Sequence, residues 1–216
     1  GRTELCSSLC YAKKGRYVFG GVKDKHLSNL AETRKKSFVT LMNYELRVKR
    51  PRFVRVHAAG DFYSITYVGK WMSILIANPD TIFYMYTRSW RDAAIARVLK
   101  KMCQLKNCIM WLSTDSDAPK APNWTGSAGT AYLAQSVFED PSGADLAFID
   151  GKSVKTPTKF LNGTLVCPYE QGVKRKKPVT CSTCGFCLER QKGRQFTAAS
   201  SSVGMLSKRV PLKLVG

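Results

Sequence analysis

Acidic residues are scarce in this chain. Its 216 residues include 15 Asp and Glu against 35 Lys and Arg, a formal charge of +20. An imbalance of that size attracts polyanions and speeds their encounter, which makes nucleic acid the leading partner. The plainer alternative is a protein that is basic throughout. Apolar runs of membrane-spanning length are absent, and nothing at the start reads as a secretory signal, so no membrane is expected. Also absent are G-x-S-x-G, a Walker loop and H-E-x-x-H, which argues against hydrolases of those classes. Without a secretion signal, eight cysteines point to a reducing cytoplasmic compartment, where clustered thiols bind metal.

Six of those cysteines form two groups at opposite ends of the chain. Cys6 and Cys10 stand in C-S-S-L-C-Y-A. Cys167 is followed, after a basic spacer, by Cys181, Cys184 and Cys187 in C-S-T-C-G-F-C. Thiols spaced so closely have few unstrained ways to pair with one another, and they suit a metal or an iron–sulfur cluster. The four C-terminal thiolates suffice for zinc in a closed site or for a [4Fe–4S] cluster, and spacing does not choose between these. Lys174, Arg175, Lys176 and Lys177 would offset their charge or meet phosphates. Cys6 and Cys10 make an incomplete set. The chain opens Gly1-Arg-Thr without an initiator Met, so the expectation is that a further ligand lies upstream or elsewhere. Cys103 and Cys108 read as buried small hydrophobes.

The pattern between these ends predicts α/β structure. Apolar residues from Leu27 to Val48 recur at helical spacing until Pro51. Strand, turn and helix then repeat about every 28 residues. Phe53–His57 alternates as a strand, and Ser64 caps a helix that stops at Asn78-Pro79. Thr81–Tyr86 is the next strand, with a helix over Asp92–Leu105, and Cys108–Leu112 is the third. Successive βα units with right-handed crossovers give a parallel sheet or partial (β/α) barrel. Shorter strands are expected over Ala131–Val137 and Leu146–Ile149, with a hairpin turning at Asn162-Gly163 within Phe160–Val166. The expected organisation is an α/β core with an N-terminal cysteine loop over 1–160, then an irregular, cysteine-rich, metal-binding appendage and basic tail over 161–216.

In parallel sheets the working residues lie beyond the carboxyl ends of the strands. Three successive strands here end in Gly60-Asp61, Thr87-Arg88-Ser89 and Ser113 to Asp117. Asp61, Arg88 and Asp115 are therefore the candidate catalytic residues, and Gly60, Asp61 and Ser113 the candidate cofactor-binding residues. The competing reading is that such residues cap turns and helix starts. His57 reads first as a structural hydrogen-bonder and second as a proton carrier. His26 is expected to be uninvolved.

The motifs resemble those of the phage and plasmid gene product 88 family. That family carries C-P-G leading to C-x-x-x-C-Y-A, then R-[IV]-H-x-x-G-D-F, Y-T-[RK]-S-W, and C-P followed by C-x-x-C-x-x-C. Here the stretches are Gly1 to Ala12, Arg55 to Phe62, Tyr86-Thr87-Arg88-Ser89-Trp90, Cys167-Pro168 and Cys181 to Cys187. The resemblance implies a C-P pair before Gly1, a host-cell cytoplasmic setting and an association with replication of mobile elements. More distantly, the chain is similar to radical S-adenosylmethionine enzymes, which place a cysteine loop before a partial barrel and hold the cofactor at a Gly-Gly-Glu-like strand end. Gly60-Asp61 and Ser113-Thr114-Asp115 would take those parts. Lys13 stands where the usual third cysteine would be.

The sequence-based expectation is an intracellular iron–sulfur protein acting on or with nucleic acid, with one or two [4Fe–4S] clusters. It leaves open whether the chain is an enzyme using S-adenosylmethionine or a non-catalytic, zinc- or cluster-stapled nucleic-acid-binding protein. Protein partners are not specified.

Overall fold

The computed structural model describes residues 2–141, 143–149, 158–168 and 181–188. A short helix, α1 (Glu4–Leu9), opens the chain, and turns of 3₁₀ helix follow at Tyr11–Lys13 and Gly15–Val18. Next come α2 (Gly20–Arg34) and α3 (Phe38–Lys49). The single helical stretch expected from Leu27 to Val48 is thus broken at Lys35–Ser37. The physical reason is in α2: its apolar residues are spread around it and only Thr33 is buried, so no stripe runs on into α3.

The βα repeat follows. β1 (Phe53–Val56) leads to α4 (Ile65–Ala77), β2 (Ile82–Thr87), α5 (Ala93–Met102) and β3 (Cys108–Thr114). Both helix starts are capped, by Ser64 as predicted and by Asp92, expected as the first helical residue. The Ser64 side chain accepts from Tyr67 N, and Asp92 accepts from Ala94 N and Ile95 N. Then come β4 (Ala128–Ala134), β5 (Leu146–Ile149), and a hairpin of β6 (Phe160–Leu161) and β7 (Thr164–Val166). The hairpin turns at Asn162 and Gly163, whose φ angles of 44° and 82° are those a tight primed turn requires. A last short helix, α6 (Cys181–Cys184), precedes a 3₁₀ turn at Phe186–Leu188.

The seven strands form one sheet in the order β1-β2-β3-β4-β5-β7-β6, parallel except for the β6–β7 pair. The mixed α/β class with a largely parallel sheet is therefore as predicted. The order is nearly that of the sequence. Crossovers of one hand between sequential strands put their helices on the same face, and α4 and α5 pack there together. That face is the larger core: Val54, Val56, Phe83, Met85, Met110 and Leu112 from the strands meet Trp71, Leu75 and Leu99 from the helices. Leu75 and Leu99 are fully buried, each stabilising the fold by about 2 kcal/mol.

The opposite face carries Tyr84, Ile109, Trp111, Ala131 and Leu146. Phe186 and Leu188 from the cysteine-bearing C-terminal segment cover it. The two faces differ because the crossovers use up one and leave the other for whatever follows.

Candidate functional site at the carboxyl edge of the sheet

The ends of β1, β2 and β3 come together as topology predicts, and Asp61, Arg88 and Asp115 lie among them. Asp61 joins the first two. Its Oδ1 accepts from Thr87 Oγ1 at 2.6 Å and from its neighbour Phe62 N at 2.7 Å, and its Oδ2 accepts from Arg88 N at 2.7 Å. Gly60 precedes it at φ 92°, a left-handed conformation that favours glycine. Asp115 joins the second and third ends: Arg88 Nη1 donates to its Oδ2 at 2.6 Å, an ion pair almost wholly out of solvent. Asp115 Oδ1 accepts from Asp117 N.

The N-terminal cysteine loop is fastened to the same edge. Thr3 Oγ1 donates to Asp115 Oδ2 at 2.6 Å and accepts from Cys6 N at 3.0 Å, capping α1. Asp117 Oδ2 accepts from Leu5 N at 2.9 Å, an acid at a helix start where the dipole favours it. Cys6 thus lies close to the Arg88–Asp115 pair. Burial pushes its thiol up, and the Arg88 guanidinium opposes that shift.

The pentapeptide Tyr86-Thr87-Arg88-Ser89-Trp90 is the hub of this arrangement. Its five side chains reach three parts of the chain: the C-terminal cysteine segment, the Asp61-Phe62 turn, and the end of β3. Tyr86 donates to Cys187 Sγ at 2.8 Å, Thr87 to Asp61, and Arg88 to Asp115. Ser89 Oγ donates to Phe62 O at 2.7 Å, and Trp90 Nε1 to Ser113 O at 2.9 Å. Sequence reasoning found Arg88 but not the roles of Thr3, Tyr86 or Trp90. The Y-T-R-S-W pattern was the available signal: a run of five polar-tipped side chains at a strand end.

The C-terminal cysteines lie on the second face of the sheet. Burial pushes the Cys187 thiol up to about 12; the Tyr86 hydrogen bond opposes this, while Cys167, Cys184 and Cys181 reinforce it. Arg55 sits between the two cysteine segments, with Tyr11, Tyr84, Tyr86 and Cys181 as its electrostatic neighbours. The thiols therefore influence one another, and their soft donor chemistry suits a cluster or zinc. Among the described residues, however, no group of three or more His, Cys, Asp or Glu is arranged to hold a metal ion. The expected metal-binding C-terminal region is accordingly present as a cysteine-bearing cover on the sheet, without a preformed ligand set. Lys174 to Lys177 and the basic tail lie outside the described residues.

Cys103 and Cys108 are buried, as expected of small hydrophobes. His57 is a core residue beside the site. It follows a cis peptide from Val56 and packs on Phe62, Tyr67 and Trp71. Its Nε2 is 2.9 Å from the Tyr67 hydroxyl, and its buried Nδ1 has no hydrogen-bond partner among the described residues. Burial lowers its pKa from 6.5 to about 4, with Asp61 pulling the other way. The unfolded chain therefore binds the proton first as pH falls. Stability should drop between pH 6.5 and about 4, by about 3 kcal/mol, and this contribution should level off below that window. Urea denaturation at several pH values checks it: His57→Gln should flatten the slope in that window, and an unchanged slope would refute the assignment.

With this geometry in hand, comparison with other sequences is decisive on kinship. The sequence model of the gene product 88 family matches residues 1–190. The chain belongs to the gene product 88 family. It is 26% identical over 209 residues to the "Gene 88 protein" of Mycobacterium phage L5, covering 90% of this chain and 80% of that protein. Against the "Gene 88 protein" of Mycobacterium phage D29 it is 25% identical over 210 residues, at the same coverages. No solved structure matches the chain. The family match spans both cysteine groups and the Tyr86–Trp90 hub, so the site described above falls inside the family region. No helix among the described residues is long and apolar enough to cross a membrane.

Proposed function

We propose that this family member is an iron–sulfur protein of the host-cell cytoplasm that acts on or with nucleic acid, with its working centre at the carboxyl edge of the sheet. The observation that carries this reading is the Tyr86–Trp90 hub. Through Arg88 and Asp115 it holds the segment bearing Cys6, and through Tyr86 it holds Cys187. Cysteines from opposite ends of the chain thus converge on one strand end, where parallel sheets keep their ligands.

In this reading Cys167, Cys181, Cys184 and Cys187 hold one [4Fe–4S] cluster. Cys6 and Cys10, with a further ligand, hold a second. A cysteine loop laid over sequentially ordered parallel strands also supports a radical S-adenosylmethionine type of centre, in which the cluster, when bound, supplies single electrons. Gly60, Asp61 and Ser113 would border the cofactor. A carboxylate has about four lone-pair directions, and three hydrogen bonds use the Asp61 carboxylate, so it keeps capacity for a ligand amine. Arg88 and Asp115 act as positioning residues for the Cys6 loop. The charge of +20 supports a nucleic-acid partner.

A second reading has a specific observation in its favour. Asp61, Arg88 and Asp115 are bonded chiefly to one another and to the backbone, as in a structural strut. In that case closed zinc or cluster sites staple a non-catalytic nucleic-acid-binding protein. Metal and acid-labile sulfide content after anaerobic purification separates the two. The iron–sulfur reading expects about four irons with matching sulfide per cluster, and a loss of about four on Cys184→Ser. Zinc without sulfide overturns it and leaves the stapled binder.

A further inference from the structure

The stretch from Tyr11 to Arg34 is held at both ends and open in between. At its start, the Tyr11 hydroxyl donates to Ala58 O at 2.6 Å, in the loop that leads to Gly60-Asp61. At its end, Lys70 Nζ donates to Thr33 O and Lys35 O at 2.7 and 2.8 Å, and Thr33 Oγ1 is 2.8 Å from the Tyr63 hydroxyl. Within the three helical elements between those anchors, only Thr33 is buried. Tyr11 is 50% exposed and Phe19 61%. Tyr11 also meets Tyr17 edge to face, with ring centroids 5.4 Å apart.

The character of the segment selects the partner. Lys13, Lys14, Arg16, Lys23 and Lys25 surround the aromatics, with Asp24 the one acid from Tyr11 to Lys25. The apolar residues of α2 do not collect on one face, so it has neither the stripe that lies in a protein groove nor the face that lies on a lipid surface. The exposed Phe19 among these cations matches a strand of unpaired bases, which offers a π-face and a phosphate at each step. A duplex hides those faces. Tyr17 also stacks on His26 at 5.5 Å, which stiffens the segment.

We infer that Tyr11–Arg34 is a docking arm for single-stranded nucleic acid, which lays the strand beside Cys10 and toward the Gly60-Asp61 end of β1. The inference rests on the nucleic-acid reading above and adds to it the strandedness of the partner and the surface that takes it.

The test is fluorescence anisotropy with a labelled single-stranded oligothymidylate of about 16 nucleotides and a duplex of equal length, titrated across salt. The wild-type chain should bind the single strand roughly 10-fold tighter than the duplex. Phe19→Ala should weaken single-strand binding roughly 10-fold and leave the salt slope unchanged. Substituting Lys13, Lys14 and Arg16 together by Ala should lower the slope of log affinity against log salt by about 2, at about 0.7 for each phosphate no longer neutralised. These residues are exposed, and circular dichroism would verify that the variants stay folded. If the wild type binds while these variants match it, the arm is overturned and the nucleic-acid reading stands. Preference for the duplex overturns the single-strand assignment. Failure of the wild type to bind either probe at low salt overturns both.

Discussion

Asp115→Ala is expected to destabilise the protein by about 3–5 kcal/mol and lower its melting temperature by roughly 10 °C. Asp115 is 2% exposed, and its carboxylate is the sole ion-pair partner of Arg88 among the described residues. Removing it strands a buried guanidinium, and that loss exceeds the net worth of the pair. It also releases Thr3 from its carboxylate partner, leaving the hydroxyl as cap of α1 and as acceptor from Arg88 Nη1 at 3.4 Å. The Cys6 thiol should then react faster with a thiol reagent, because Asp115 no longer anchors the segment that carries it. Replacing both partners with apolar residues, Arg88→Met with Asp115→Leu, should recover much of the stability but not the protection of Cys6. A single variant melting within about 2 °C of wild type would show that the pair is not the clamp described.

Trp111→Ala should act on the other cysteine segment. The indole lies in the second face of the sheet, stacked on Tyr86 and Phe186 at ring separations of 6.1 Å on each side. Its Nε1 donates to Cys187 O at 3.4 Å. Truncation removes a fully buried aromatic, at a cost of about 3–5 kcal/mol, and takes away the surface on which Phe186 rests. Hydrogen exchange resolved by residue should show Phe186–Leu188 losing protection well before the strands do. Trp111→Phe should keep most of the stacking and lose only the weak N–H bond. Unchanged protection of that segment in Trp111→Ala would mean that something other than this ring holds it.

The sequence made the βα repeat legible because each of its signals is local. β1 alternates, β2 is a short run of apolar and aromatic residues, Ser64 and Asp92 stand where caps belong, and Asn162-Gly163 is a turn signal. Strand β4 begins at Ala128, earlier than expected, because Ala128 and Gly129 carry no strand signal of their own. Pairing with Met110 and Trp111 of β3 recruits them. The break between α2 and α3 was illegible because α2 has no periodic apolar face to end. In the site, topology alone brings Asp61, Arg88 and Asp115 to one edge. The Thr3–Asp115 bond spans 112 residues and the Tyr86–Cys187 bond 101. Nothing in either neighbourhood announces the other, so such links emerge only once the sheet is assembled.

The long span of the Thr3 bond sets an order in time. The segment that carries Cys6 and Cys10 is made well before its docking partner: Asp115 follows Thr3 by 112 residues, on the order of ten seconds at ordinary rates of synthesis. For that interval Cys6 and Cys10 are exposed thiols on a nascent chain, open to oxidation or to a passing metal. Any factor that loads or guards them has its opportunity then, before β3 is complete and α1 closes onto its edge.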